Sequence, residues 1–170
     1  MSLFGNLFKK KEKPQEPEEP HIDTPWGPLY FNGIKYNQFE YEGYVDWYDD
    51  IDDPCDVCIE CDEDGTDDIT RGLEKFMYIM ERKTDIDYQI KMAALDYFAD
   101  ESGLVMSEKQ RMLMSKDLFL DTMPIICFTV RRDGCISFHI YYNDIYDVED
   151  IDVVYTDKGT FEVSFTKFEY

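Results

Sequence analysis

The sequence predicts an α+β domain, with two to three helices packed on one face of an antiparallel β-sheet. Three observations predict this fold class. Apolar and polar residues alternate in the last third of the chain and around residues 55–61, as in half-buried strands. Apolar residues recur every three to four positions between residues 69 and 99, as in amphipathic helices. The turns at residues 132–134 and 157–159 share one type.

The last third of the chain predicts a four-stranded antiparallel meander. A two-residue turn at Asp133-Gly134 would place the flanking apolar sets on opposite faces of the sheet. A three-residue loop that ends at Gly134 keeps them on one face and places the glycine in the left-handed conformation that the loop requires. This loop, and its counterpart that ends at Gly159, predict the following partners: Val130 with Ile136, Phe128 with Phe138, Tyr155 with Phe161, Val153 with Val163 and Ile151 with Phe165.

The first part of the domain also predicts strands, which we expect to extend the same sheet. Asn32-Gly33 lies between two aromatic segments and indicates a hairpin with a type I′ turn. Aromatic strands follow at residues 39–41 and 44–48. In residues 55–61, Cys55 and Cys61 share one face with Val57 and Ile59, whereas Cys58 points to the other face.

The middle of the chain predicts the helices. The first begins near Asp67 or Asp68, whose carboxylates suit a helix N-terminus. The second begins at Thr84 or Asp85 and stops before Gly103, and a short third helix runs from Ser107. The apolar stripes are Ile69, Leu73, Phe76 and Met80 in the first helix, and Ile86, Ile90, Ala93 and Tyr97 together with Tyr88, Met92, Leu95 and Ala99 in the second.

The N-terminal region differs in composition from the rest of the chain. Residues 13–20 read Lys-Pro-Gln-Glu-Pro-Glu-Glu-Pro, in which proline removes backbone donors and the glutamates repel one another. We therefore predict a disordered tail and Pro/Glu linker at residues 1–25, and a single α+β domain at residues 26–170. No apolar run is long enough to span a bilayer, and there is no secretory signal.

The net charge limits the classes of partner. The chain has 17 basic and 38 acidic residues, for a net charge of -21. A field of this sign repels nucleic-acid phosphates and anionic lipid, and it attracts basic proteins. The other interpretation is that the charge only keeps the protein dissolved. The odd number of cysteines, 5 in all, indicates reduced thiols and a cytoplasmic location.

None of the candidate chemical sites in the sequence has the residue spacing that its chemistry requires. Cys55, Cys58 and Cys61 cannot converge on a metal from one extended strand, because Cys58 faces away from the other two. The acidic turn before Gly65 lacks the glutamate that a calcium loop needs at its twelfth position, which is Arg71 here. Phosphate-binding glycine loops and nucleophile elbows do not occur in the sequence. We therefore predict no catalytic residue, no cofactor and no metal.

Aromatic residues are more numerous than one face of a sheet can bury. Tyrosine and tryptophan beside carboxylates make good protein-binding surfaces, since they combine rigid apolar area with a polar group. The alternative is that both faces of the sheet are covered. The candidate interaction surface comprises Tyr44, Trp47, Tyr48, Asp49, Asp50, Asp52, Asp53, His139, Tyr141, Asp144 and Tyr146.

Three parts of the chain resemble a group of small bacterial domains of unknown function. They are residues 26–47, with Trp-Gly-Pro-Leu and Tyr-Glu-Gly-Tyr-Val-Asp-Trp, the helix pair, and residues 125–144 around Asp133-Gly134. Some members of that group are found beside polymorphic toxins and are thought to act as immunity proteins. The resemblance implies an immunity-type inhibitor and transfers no functional residue.

Three hypotheses for the function follow. The first is a non-catalytic protein-binding module of the bacterial cytoplasm, an immunity-type inhibitor of a basic toxin being its most specific form. The second is a metal-dependent or acid–base hydrolase whose carboxylates converge only in the fold. The third is a structural subunit that associates with itself, so both a monomer and a homodimer remain open.

Overall fold

The computed structural model describes residues 20–35, 38–49, 54–63, 65–100, 123–141 and 148–167. These residues form eight strands and two helices. The elements are β1 (His21–Thr24), β2 (Gly27–Lys35), β3 (Gln38–Val45), β4 (Cys55–Glu60), α1 (Thr70–Glu81), α2 (Lys83–Asp100), β5 (Ile125–Val130), β6 (Ile136–Tyr141), β7 (Val148–Tyr155) and β8 (Phe161–Lys167).

All eight strands belong to one sheet, in which their order along the sheet is their order along the chain. The predicted α+β class is confirmed. The expectation of a purely antiparallel sheet is wrong, because β4 and β5 pair in parallel while the other neighbours are antiparallel. A parallel pair needs a long crossover connection, and the chain between β4 and β5 contains both helices. The sheet is therefore mixed.

The C-terminal meander has the predicted register. Val130 pairs with Ile136, and Phe128 with Phe138. In the second hairpin Tyr155 pairs with Phe161, Val153 with Val163, and Ile151 with Phe165. Gly134 and Gly159 have φ angles of 86° and 77°, and each donates its N–H to a carbonyl three residues earlier at 3.0 Å. The prediction that both hairpins use one loop type is confirmed.

The N-terminal hairpin differs from the prediction. Asn32-Gly33 is not its turn, since β2 continues through both residues to Lys35. The register with β3 shifts between Phe31 and Gly33, and Gly33 has a φ of 63°. The positive φ angle that glycine tolerates is thus used in a β-bulge.

The folded region begins earlier than the predicted boundary at residue 26. His21–Thr24 form an edge strand that pairs with β2, so the last residues of the expected tail belong to the sheet. Thr24 Oγ1 donates to the carbonyl of Gly27 at 2.6 Å and accepts from the N–H of Trp26 at 3.2 Å, which closes the connecting turn. Composition missed this strand, because it is short and follows the proline-rich segment directly.

The helices agree with the prediction in position. Asp68 Oδ1 accepts hydrogen bonds from the N–H and Oγ1 of Thr70, the first residue of α1, at 2.9 and 2.6 Å. In α2 the buried apolar residues include Ile86 and Ile90, whereas Tyr88, expected on an apolar stripe, is 49% exposed. The expected third helix from Ser107 lies outside the described residues.

The hydrophobic core lies between the helices and one face of the sheet. Its residues align in cross-strand rows, of which one crosses all eight strands through Ile22, Leu29, Gly43, Val57, Phe128, Phe138, Val153 and Val163. Helix α1 packs on β4 and β5, and α2 packs on β7 and β8. Gly72 lets α1 approach closely, since a Cβ there would lie 2.5 Å from Ile59 Cγ2.

A buried polar network joins α2 to the sheet. Asp87 Oδ1 accepts hydrogen bonds from Trp47 Nε1 at 3.1 Å and from the Tyr48 hydroxyl at 2.7 Å. Asp87 Oδ2 lies 3.0 Å from Lys91 Nζ, which also stands 4.9 Å from the centre of the Tyr48 ring. The Tyr48 hydroxyl accepts the N–H of Ile125 at 2.9 Å. The network thus connects β5, α2 and the segment after β3.

We expect Asp87→Ala to lower the free energy of unfolding by about 3–5 kcal/mol, because it leaves the ammonium of Lys91 buried without its counter-ion. The side chain of Lys91 is only 8% exposed. Urea denaturation followed by tryptophan fluorescence measures the change. If Asp87→Ala does not fold, Asp87→Asn keeps an acceptor for Trp47 and should lose less.

The matched control for this prediction is Asp96→Ala, which removes an exposed carboxylate from the same helix. It should change the free energy of unfolding by no more than about 0.5 kcal/mol. Equal effects of Asp87→Ala and Asp96→Ala would contradict the structural role of the network.

Candidate interaction surface on the open sheet face

The sheet face opposite the helices, here called the open face, carries the side chains that alternate with the core rows. Because side chains alternate along each strand, cross-strand partners share a face and form rows here as well. One row of the open face is His21, Tyr30, Glu42, Cys58, Thr129, Ser137, Val154 and Glu162, and a second is Tyr44, Asp56, Cys127, His139, Asp152 and Ser164. Glu40 and Glu60 are partners in a further row of the same face.

In the two rows of the open face, carboxylates outnumber basic side chains. The acids of the two rows are Glu42, Asp56, Asp152 and Glu162, and neither of the two rows contains a lysine or an arginine. Arg131, which follows β5, forms an ion pair with Asp133 at 2.9 Å. Of these carboxylates, Asp152 contacts the imidazole of His139, and the two rows themselves supply no lysine or arginine.

A depression of about 740 Å³ lies on the open face over β2 to β5. Its walls include Tyr30 and Tyr44, which are 44% and 67% exposed. Glu42 also lines it, and Asn32 Nδ2 donates to Glu42 Oε2 at 2.6 Å, which orients the carboxylate. The other polar lining side chains are Asp56, Cys58, Cys127 and Thr129.

A histidine–carboxylate pair stands further along the same face. His139 Nδ1 lies 2.8 Å from Asp152 Oδ1, and the two residues are cross-strand partners on β6 and β7. Cys127 on β5 is the partner of His139 on its other side. A thiol, an imidazole and a carboxylate thus follow one another on three consecutive strands.

The three clustered cysteines do not converge, which confirms the sequence argument about strand alternation. Cys55 and Cys61 are buried beneath the helices, whereas Cys58 lines the depression on the opposite face. Cys58 Sγ donates to Glu40 Oε2 at 3.1 Å. Among the described residues, no group of three His, Cys, Asp or Glu side chains is placed to hold a metal ion.

Burial controls the acidity of these thiols. Desolvation, reinforced by the hydrogen bond to Glu40 and by the charges of Glu40, Glu42 and Glu60, raises the pKa of Cys58 far above its usual value. Desolvation followed by the charge of Asp67 raises the pKa of Cys61 to about 11. Both thiols therefore remain protonated at neutral pH, a state in which cysteine is a poor nucleophile.

The predicted surface residues divide between the two sides of the sheet. Tyr44 and His139 lie on the open face. Trp47 is 3% exposed and packs against Phe128 and Phe138 in the core. The prediction that Trp47 belongs to the interaction surface is therefore wrong. Tyr48 is also on the helix side, where its hydroxyl belongs to the Asp87 network.

The remaining predicted residues are at the edges of the described structure. Asp49 is exposed and forms an ion pair with Lys83 at 3.0 Å. Tyr141 ends β6, and its side chain is outside the described part of the chain. The other predicted residues outside the described ranges are Asp50, Asp52, Asp53, Asp144 and Tyr146.

The sequence prediction missed the residues that define the open face, above all Tyr30, Glu42, Asp56 and Asp152. The signal that identifies them is the alternation along each strand combined with the register of its neighbours. The number of aromatic residues, which was used instead, led to the choice of Trp47, whose side chain lies in the core.

Comparison with protein-family models, with curated proteins and with solved structures found no match for this chain. The resemblance to bacterial immunity-type domains stays a prediction. In the described part of the chain, neither helix combines the length and apolar character that crossing a membrane requires.

The raised thiol pKa values predict a loss of stability in alkaline solution. The unfolded thiols ionise near their ordinary pKa of 9.0, whereas the folded thiols of Cys55, Cys58 and Cys61 keep their protons to higher pH. The contribution of these thiols to stability is therefore fully present below pH 9.0, and it is lost as the pH rises toward their folded-state pKa values. Each thiol contributes a slope of up to about 1.4 kcal/mol per pH unit. Urea denaturation between about pH 8 and 11 measures the slope.

The variant Cys58→Ser should reduce the slope of the free energy of unfolding against pH by the contribution of one thiol. The reason is that it removes a group that ionises at lower pH in the unfolded chain than in the folded chain. Thr129→Ser, at the position paired with Cys58 on β5, removes no ionisable group and is the matched control, which should leave the slope unchanged. Identical slopes for Cys58→Ser and the unmodified protein would contradict the pKa direction at Cys58.

Proposed function

We propose that this chain is a non-catalytic binding module whose open face docks a basic protein. One observation carries the proposal: two rows of the open face combine exposed tyrosines with carboxylates and contain no lysine or arginine. The occupant that complements such a surface is a protein patch rich in lysine and arginine.

Long-range and short-range forces favour the same partner. The net charge of -21 steers a basic protein toward the chain and accelerates its association. Tyr30 and Tyr44 then supply rigid apolar area at the point of contact, with hydroxyl groups that remain able to hydrogen-bond. Tyr30 and Tyr44 lie on paired strands, so we expect binding to order few additional backbone groups.

Within this proposal, the most specific form is an immunity-type inhibitor of a basic toxin in the bacterial cytoplasm. The support is the resemblance noted in the sequence, together with the acidic character of the open face. A toxin that acts on nucleic acid carries basic residues along its substrate groove, and an acidic face can occupy that groove in place of phosphates.

The test compares two triple variants that remove equal charge from the two sides of the molecule. The open-face variant carries Asp56→Asn, Asp152→Asn and Glu162→Gln. The helix-side variant carries Glu74→Gln, Glu81→Gln and Asp96→Asn, all at exposed positions of α1 and α2. Calorimetry with a panel of purified small basic proteins, at low and physiological salt, measures the affinity of each variant.

We expect the open-face variant to bind basic proteins at least about tenfold more weakly than the helix-side variant, which corresponds to about 1.4 kcal/mol. Size-matched acidic proteins should bind neither variant. Equal weakening by both variants would show that net charge alone attracts the partner, and it would remove the open face as a docking surface.

A second candidate function, an acid–base hydrolase, is favoured by one specific observation. Cys127, His139 and Asp152 follow one another on adjacent strands, and the carboxylate holds the imidazole at 2.8 Å. A nucleophile, a base and an orienting acid are the components of thiol hydrolases.

Activated chromogenic esters distinguish the two candidates. As a binding module, the chain should hydrolyse them no faster than its Cys127→Ala and His139→Ala variants, because no catalytic step is involved. A rate that falls at least about a hundredfold in both variants would support the hydrolase instead and would contradict the non-catalytic proposal.

A further inference from the structure

We infer that the depression on the open face is a seat for an arginine side chain of the bound protein, with Tyr44 as its stacking surface. The inference rests on the proposed function and specifies one contact within it. It is drawn from the pairing of rings with carboxylates in the depression, and it commits to a guanidinium as the occupant.

Rings and carboxylates stand in directly opposed pairs across the strands. Tyr30 on β2 is the cross-strand partner of Glu42 on β3, and Tyr44 on β3 is the partner of Asp56 on β4. Partners of this kind have their Cβ atoms about 4.5–5.5 Å apart. Each tyrosine ring in the depression therefore has a carboxylate beside it, on the same face.

This arrangement favours a guanidinium over an ammonium group. A guanidinium is planar, so its face stacks on a tyrosine ring while its edge donates two parallel hydrogen bonds to a carboxylate. An ammonium is a compact point charge with a strong hydration shell, and it gains less from a ring beside an acid. The bond from Asn32 orients Glu42 and so restricts the direction from which a donor approaches.

The helix side contains two cation–tyrosine contacts, one of Arg82 with Tyr78 and one of Lys91 with Tyr48 beside Asp87. The guanidinium carbon of Arg82, the residue after α1, lies 4.3 Å from the centre of the Tyr78 ring, and its Nη1 donates to the Tyr78 hydroxyl at 2.6 Å. Tyr78 is 41% exposed, similar to Tyr30 at 44%, and Tyr44 is more exposed still. Tyr30 contacts the ring of His21, with the ring centres 5.7 Å apart. Among the described residues, neither row of the open face supplies an arginine for Tyr30 or Tyr44, and we assign that cation to the bound protein.

The experiment uses two fluorescent peptides of equal length and charge, one with four arginines and one with four lysines, each spaced by Gly-Ser. Fluorescence anisotropy measures their binding to the full chain at low salt. We expect the arginine peptide to bind about threefold to tenfold more tightly than the lysine peptide. Tyr44→Ala should abolish this preference for arginine, and Glu42→Gln should weaken the binding of the arginine peptide by a similar factor.

Matched controls are Tyr88→Ala and Glu81→Gln, which remove an exposed tyrosine and an exposed acid from the helices. Both should keep the preference for arginine. Because Tyr44 is 67% exposed, Tyr44→Ala should fold, and circular dichroism checks this. Glu42→Gln keeps the shape of the side chain and provides an independent variant.

The outcomes separate this inference from the function on which it rests. Equal binding of both peptides, unaffected by Tyr44→Ala, overturns the arginine seat. If the open-face triple variant still binds basic proteins more weakly than the helix-side variant does, the docking function stands without the arginine seat. If neither the peptides nor the basic proteins respond to any open-face substitution, both proposals fail.

Discussion

The register of the eight-stranded sheet is the constraint on which the molecule depends. A shift of one residue between neighbouring strands would exchange the two faces of every strand beyond it. The core row that contains Val57 and Phe128 would then meet water, and the carboxylates of Asp56 and Asp152 would be buried beneath the helices. Core packing and the chemistry of the open face are therefore consequences of one alignment. The hairpin loops that end at Gly134 and Gly159 fix that alignment in the C-terminal half.

The helix side and the open face use polar groups for opposite purposes. On the helix side Asp87 is satisfied by Trp47, Tyr48 and Lys91, so its charge is neutralised and contributes to cohesion. On the open face the carboxylate of Asp56 is exposed and faces solvent from a row without lysine or arginine. A buried carboxylate needs partners because desolvation is costly, whereas an exposed one retains its field for a binding partner. Net charge alone does not distinguish these two situations.

The sequence predicted the features that depend on local patterns. Alternation and loop chemistry correctly predicted the pairing of Phe128 with Phe138 and the separation of Cys58 from its neighbouring cysteines, since side-chain direction in a strand follows from position alone. The parallel pairing of β4 with β5 could not be predicted in this way. Apolar and polar residues alternate along a strand in the same manner whether its neighbour runs parallel or antiparallel to it. The burial of Trp47 was also missed, since its partners Phe128 and Asp87 are distant in sequence. The open face was recognisable only once all registers were known together.

The parallel seam between β4 and β5 has a consequence for folding kinetics. Strands β1 to β4 and strands β5 to β8 each form from consecutive hairpins, whose contacts are local and close quickly. Joining the two meanders requires closure of the chain from Glu60 to Ile125, which carries a larger entropic barrier. Asp56 and Cys127 meet across this seam, in the wall of the depression. The acidic depression is thus complete only after the slowest pairing of the sheet, and a half-folded chain cannot present it.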